Sequence, residues 1–353
     1  MKMGSDSSLF RGKIGRSPFD RSLTIGIASG KNRATSKPFW PMKTALSALL
    51  AIALFALTGP SLFGDKSDSA VSNTSAKKKI VFLAGKRSHG YAAHEHRAGC
   101  LLLAKQLNEH MGDVIEASVH FQKDWPGNAE VLKDADAVVF YCNGGSGQHM
   151  AYQHLEGLEL KLKDGAGVAC LHYAVEPGDD EKGRKLFLDW LGGYFETHYS
   201  VNPHWTADFK KLPEHPITRG VEPFKIYDEW YFHMRFAEEM KGVTPILSAH
   251  PPKKTMDRRE GRHSGNPHVR ASMNRGEIQH VAWAYERPNG GRGFGFTGGH
   301  FHRNWGHDDF RTLVLNAIAW CSKVEVPEGG VPSVKPTEAE LEENQDYPKP
   351  EEK

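Results

Sequence analysis

Between residues 79 and 193, short apolar runs alternate with amphipathic ones. "KIVFLAG" (79–85) is apolar up to a closing glycine, the pattern of a parallel strand buried on both faces. Residues 95–111 set Ala98, Leu101, Leu102, Ala104 and Leu107 along one helical face. "VIEASVH" (114–120) and "DAVVFYCNGG" (136–145) read as the next strands, 151–163 as a helix and "GVACLHY" (167–173) as the fourth strand. Residues 181–193 predict a helix stopped by its closing glycines. This alternation predicts an α/β fold with a doubly wound, mostly parallel sheet.

The second half is less regular. "WTADF", "VTPILSAH" and "IQHVAWAYERPNGGRGFGFTGGH" predict strands, the last a hairpin turning at Pro288–Gly291. Residues 308–324 predict a final amphipathic helix with an aspartate at its start. No internal repeat occurs, and one domain over 79–324 fits the pattern. From Glu325 the chain is rich in proline and glutamate, which predicts a disordered acidic tail over 325–353.

The N-terminal pattern differs. Residues 42–64 carry a lysine, an apolar core from Ala45 to Leu57, then Gly59-Pro60, the layout of a secretory signal peptide. Residues 1–41 are basic and lack hydrophobic periodicity, so Met42 is read as the start and 1–41 as an upstream extension. A polar linker follows over 65–78. The expected location is periplasmic or secreted, with no membrane contact after cleavage; a signal anchor in the inner membrane is the alternative.

A net charge of +2 over 353 residues, with no basic stripe, leaves no footprint for nucleic acid. Cys100, Cys142, Cys170 and Cys321 have no zinc-finger or CxxC spacing and read as small buried hydrophobes.

Ligands of doubly wound sheets bind outside the C-terminal strand ends. "GKRSHGYAAHEH", "CNGGSG", "HYAVEPGDD" and "TGGHFHRNWGHDD" stand at four such ends, and each carries glycine or histidine. A single histidine is most simply structural; the joint occurrence is what points to a site. Glycines after a strand can aim amides at an oxyanion, which makes Gly144 and Gly145 candidates, though a tight turn reads the same. "HEH" (94–96) with His89 offers metal ligands at a spacing that matches no zinc signature. "YDEWYF" sets Asp228 and Glu229 among aromatics, where a carboxyl can be held protonated and act as acid or base; an exposed acid on an aromatic strand reads the same. "GFGFTG" (293–298) matches GxGxxG but follows a hairpin and opens no helix, so it is no dinucleotide site.

"KIVFLAGKRSHGY", "GVACLHYAV", "HPITRGVEPFKIYDEWYF" and "GFGFTGGHFHRNWGHDDFRTLVLNAIAWC" together resemble the trehalose-utilization (ThuA-like) family, within the class I glutamine amidotransferase-like superfamily. The resemblance implies a flavodoxin-like fold and a carbohydrate role in catabolism of disaccharides through 3-keto sugars. The superfamily's cysteine elbow corresponds to His172, which argues against amidotransferase chemistry and for proton transfer or metal ligation. His172, Glu229 and His300 are carried over as catalytic, joined by His89. The candidate metal ligands are His89, His172 and His300, for zinc or manganese. The candidate substrate contacts are Gly144, Gly145, Tyr91, Tyr173, Trp230 and His302. The expected reaction is an acid–base elimination without a nucleophile. Two alternatives stand beside it: a metal-dependent hydrolase of glycosides or esters, and a non-catalytic sugar binder or scaffold stacking sugars on Trp125, Trp205, Trp230 and Trp305.

Overall fold

The computed structural model describes residues 76–122, 129–145 and 147–351. The expected upstream extension, the signal peptide and most of the linker, together with Trp125, lie outside the described residues. The regular half runs β1 (Lys78–Ala84), α1 (His96–His110), β2 (Ile115–Phe121), β3 (Ala137–Tyr141), α2 (Leu155–Lys163), β4 (Gly167–Leu171) and α3 (Glu181–Leu191). The second half follows with β5 (Gly193–Tyr194), β6 (Trp205–Phe209), β7 (Phe224–Asp228), β8 (Arg235–Phe236), β9 (Val243–Ala249) and α4 (Pro267–Asn274). It closes with β10 (Gln279–Glu286), β11 (Arg292–Phe296), α5 (Asp308–Cys321) and α6 (Glu338–Glu342).

Seven strands form one sheet in the order β2-β1-β3-β4-β11-β10-β9. The first five are parallel, in the flavodoxin-like 2-1-3-4-5 order, and the β10–β11 hairpin adds an antiparallel edge. Side chains alternate between two cores: Ile80 and Phe82 pack toward α1 and α5, Val81 and Leu83 toward α2 and α3. Both faces are covered, which is why β3 and β4 read as unbroken apolar runs. Gly192 ends α3 at φ +67°, as its sequence predicts. Two small sheets, β5–β8 and β6–β7, lie outside the main one.

Asp308 opens α5 as expected, one residue inside the His307 cap, and bonds Arg311 at 2.6 Å. One expectation fails. The tail is not a loose extension. Val326 and Val331 are buried, α6 begins with a Thr337–Glu340 capping box, and Asp346 donates its N–H to Glu95. Composition hid this because two valines suffice to seat a short polar segment on an existing core. Among the described residues, no helix is long and apolar enough to cross a membrane.

Candidate metal centre

β1, β3, β4 and β11 are neighbours and run parallel, so their C-terminal ends share one edge of the sheet. The loops after β1 and β11 are joined there: His94 donates its N–H to the His300 carbonyl at 2.9 Å, and Ala93 bridges to Phe301. His172 opens a tight turn directly after β4 with φ +55°, and His94 has φ +54°. Left-handed backbone is rare outside glycine and is held in place by its surroundings, most often at functional sites. Glu229 comes from elsewhere, at the end of β7 in the β6–β7 sheet.

One ligand atom each from His94, His172, Glu229 and His300 lies within 4.8 Å of the others, and all four residues are deeply or largely buried. His94 Nε2 stands 3.0 Å from His172 Nε2 and 3.0 Å from His300 Nδ1. Glu229 Oε2 is 3.1 Å from His300 Nδ1, 3.4 Å from His172 Nε2 and 3.9 Å from His94 Nε2. A tetrahedral ion with bonds of about 2.0–2.1 Å sets its ligands about 3.3 Å apart; four of these spacings lie near that value and the Glu229–His94 one is wider, so the four atoms fit a flattened first coordination shell. The tautomer of His172 points the same way. Its Nδ1–H donates to the Thr297 carbonyl at 2.8 Å, leaving Nε2 as a lone pair aimed at the cluster. Three imidazoles and a carboxylate suit zinc or manganese.

The charge states agree with such a donor set. Burial holds the His94 imidazole far below its usual range, and neighbouring His172 adds to the lowering. Burial alone would raise the Glu229 carboxyl, but its close contacts with the His172, His204, His300 and His94 imidazoles outweigh it and keep it ionised. A protonated, acid-donating Glu229 is therefore corrected to a carboxylate. His204, 3.6 Å from Glu229 Oε1, is raised by that hydrogen bond.

Asp228, adjacent in sequence, does a different job. Fully buried, it accepts from the N–H groups of Glu229, Gly299 and His300 and from Asn304 Nδ2, at 2.7 to 3.0 Å. An unpaired carboxylate there would cost several kcal/mol; with these donors it pins the loop that carries His300. Tyr141 holds the same loop through the Gly299 carbonyl.

The ThuA family profile, described as trehalose utilisation, matches residues 81–321. The chain belongs to the ThuA family. A protein described as ThuA-like from Bacteroides uniformis is 17% identical over 69% of this chain and 91% of its own, with a TM-score of 0.48. Another from Parabacteroides merdae is 15% identical over 74% and 98%, with a TM-score of 0.47. A glutamine amidotransferase from Thermotoga maritima is 10% identical over 70% and 97%, with a TM-score of 0.37. No curated protein matches the chain significantly.

This ThuA family member brings no thiol to its elbow. All four cysteines are buried, and Cys170 lies within β4 with its thiol pushed up by burial. The predicted site residues then divide. His172, Glu229 and His300 converge. His89 does not join them as a ligand; it stacks on His94 with centroids 3.7 Å apart, and burial lowers its pKa. His94 takes its place among the ligands. His89, His94, Glu229 and Tyr173 line a cavity of about 170 Å³, which Tyr231, Glu176 and His263 complete.

Other expectations are corrected. Trp230 is wholly buried against Phe209, Phe296 and Phe310, and Trp205 and Trp305 are equally enclosed, so none is a stacking surface. Their rings serve the core because each buries far more apolar area there than a cleft wall would. His302 is buried with its backbone N–H on the Ala92 carbonyl, away from the cavity. The Tyr91 hydroxyl is engaged by Glu342 of the tail. The Gly145 amide is spent on the Glu176 carbonyl at 2.8 Å, so it is not an oxyanion donor. Gly144 allows close approach instead: a Cβ there would lie 2.3 Å from the Tyr173 carbonyl oxygen.

Proposed function

We propose that this protein is an enzyme of carbohydrate catabolism whose centre is a divalent ion, zinc or manganese, held by His94, His172, His300 and Glu229. The convergence of those four ligand atoms within 4.8 Å carries the reading. The substrate class in this reading, keto sugars or their glycosides, is the one the family resemblance implies, and a small polar cavity beside the centre supports it. When bound, the ion would act as a Lewis acid on the sugar carbonyl.

The protein's own groups supply the rest. Thr297 fixes the His172 tautomer, and Asp228 fixes the His300 loop. In this reading His89, which lines the cavity, removes the proton on the carbon next to the ketone. The C–H electron pair becomes a C=C bond, the glycosidic C–O bond breaks, and the leaving oxygen takes up a proton on the side where half-exposed His204 stands. No covalent intermediate is needed, which is consistent with the absence of an accessible thiol. The sugar-binder reading keeps less support, since three of the four tryptophans it rested on are in the core and Trp125 lies outside the described residues. Export through residues 42–64 stays part of the proposal, on the strength of the sequence pattern.

Tag-free protein should carry about one zinc or manganese per chain by elemental analysis and should convert methyl 3-keto-α-glucopyranoside. A chelator should stop turnover and the added ion restore it. Protein that neither retains nor takes up a metal, and leaves the keto-glycoside intact, overturns the reading.

A further inference from the structure

Opposite the histidine centre, the cavity ends in a buried acid that no step above uses. Glu176 is 2% exposed, and His263 Nε2 stands 3.3 Å and 3.2 Å from its two oxygens. A carboxylate offers about four acceptor positions, and one imidazole N–H shared between the oxygens leaves capacity over. Glu176 lines the cavity, so that capacity faces a ligand. The two ends are tied together through Asn202: its Nδ2 donates to Glu229 Oε1 at 3.1 Å, and its N–H to the His263 carbonyl at 3.1 Å. Phe195 and Tyr231, with ring centroids 5.3 Å apart, supply an aromatic wall between them.

We propose that Glu176 and His263 are the recognition end of a pocket for one uncharged sugar ring, which presents its carbonyl to the histidine–Glu229 centre and leaves the rest of the glycoside outside. This rests on the carbohydrate reading and narrows it. Size sets the single ring. The cavity holds about 170 Å³, below the roughly 300 Å³ at which pockets for larger ligands begin. A pocket of that size takes one small ring and leaves a second outside. Polarity sets the contacts: neighbouring ring hydroxyls donate to the two Glu176 oxygens, while the C–H face lies on Phe195 and Tyr231. Charge disfavours phosphorylated and acidic sugars at the recognition end, because Glu176 is a carboxylate there, neither lysine nor arginine lines the cavity, and the ion's charge belongs to the centre. The group beyond the glycosidic oxygen is therefore not selected.

Calorimetric titration of the full-length, metal-loaded protein tests this with methyl 3-keto-α-glucopyranoside, 3-keto-trehalose and a 6-phosphorylated methyl glucoside. The first two should bind within about threefold of each other, and the phosphate at least tenfold more weakly. Glu176→Gln should weaken both neutral ligands at least tenfold, with metal content and thermal midpoint unchanged. His263→Ala, at a more exposed position, should weaken them about three- to tenfold, which guards against a folding defect in the first variant. A disaccharide bound more than tenfold tighter than the methyl glycoside, or undiminished binding by Glu176→Gln, overturns the proposal. Ligand bound as described but never turned over overturns the enzyme reading and leaves this pocket standing.

Discussion

The turns after β3 and β4 lie side by side and each buries a histidine, but the two rings are used in opposite ways. His149, after β3, has both nitrogens satisfied by backbone: Nδ1 accepts from Ala151 N–H at 3.1 Å, and Nε2–H donates to the Ala174 carbonyl at 3.0 Å. His172, after β4, gives one nitrogen to the Thr297 carbonyl and turns the other toward His94, Tyr231 and Glu229. Burial does not separate them, since both are almost fully enclosed. The destination of the second nitrogen does. A ring with two backbone partners is a fastening, and a ring with one partner and a directed lone pair is a ligand.

The comparison breaks most sharply at the metal. His172→Ala should lose the bound ion and lower turnover at least about 10³-fold, since one of the ligands is gone. His149→Ala should leave metal content unchanged. Retained metal in the first variant, or lost metal in the second, would reverse the assignment.

Asp228→Asn comes next. Its amide nitrogen would face N–H donors in place of one carboxylate oxygen, so the His300 loop loosens without losing a ligand. Metal affinity should fall about 10–100-fold, measured by competition with a chromophoric chelator.

His149 itself predicts a pH effect on stability. Burial holds its pKa at about 4, against about 6.5 unfolded, so between those values the unfolded chain binds the extra proton. Stability should therefore be intact above pH 6.5 and fall by about 3 kcal/mol as pH drops toward 4. Denaturant melts of wild type and His149→Gln should differ in this slope, with the variant flatter and about 1–3 kcal/mol less stable at pH 7. Equal slopes would mean that the folded ring takes up its second proton as readily as the unfolded one.

The smallest effect belongs to Cys170→Ala. The thiol sits inside β4 and does not line the cavity beside the centre, so turnover should stay within about twofold, with about 1 kcal/mol of stability lost. A large fall in turnover would restore thiol chemistry to the site.

The regular half was legible because a doubly wound sheet imposes two faces on every strand, and apolar runs record that directly. The strand-end rule then located His172 and His300. His94 was visible only as part of "HEH", a spacing with no zinc signature, because its partners come from three other segments. From the residue pattern alone Asp228 and Glu229 could not be told apart, since adjacent residues point to opposite sides and only packing says which side is core; the family resemblance singled out Glu229 but gave Asp228 no role. The tryptophans misled for a related reason: an aromatic reads equally well as a cleft wall or as core.

The sequence by itself determined the α/β architecture, the family and the edge of the sheet where chemistry belongs, because these depend on local periodicity and strand polarity. Only the tertiary structure decided the ligand set, the separation of Asp228 from Glu229, and the Glu176–His263 end of the cavity. Those depend on where the β6–β7 sheet and the 253–275 segment settle against the strand ends, and that placement follows from long-range packing which no local pattern encodes.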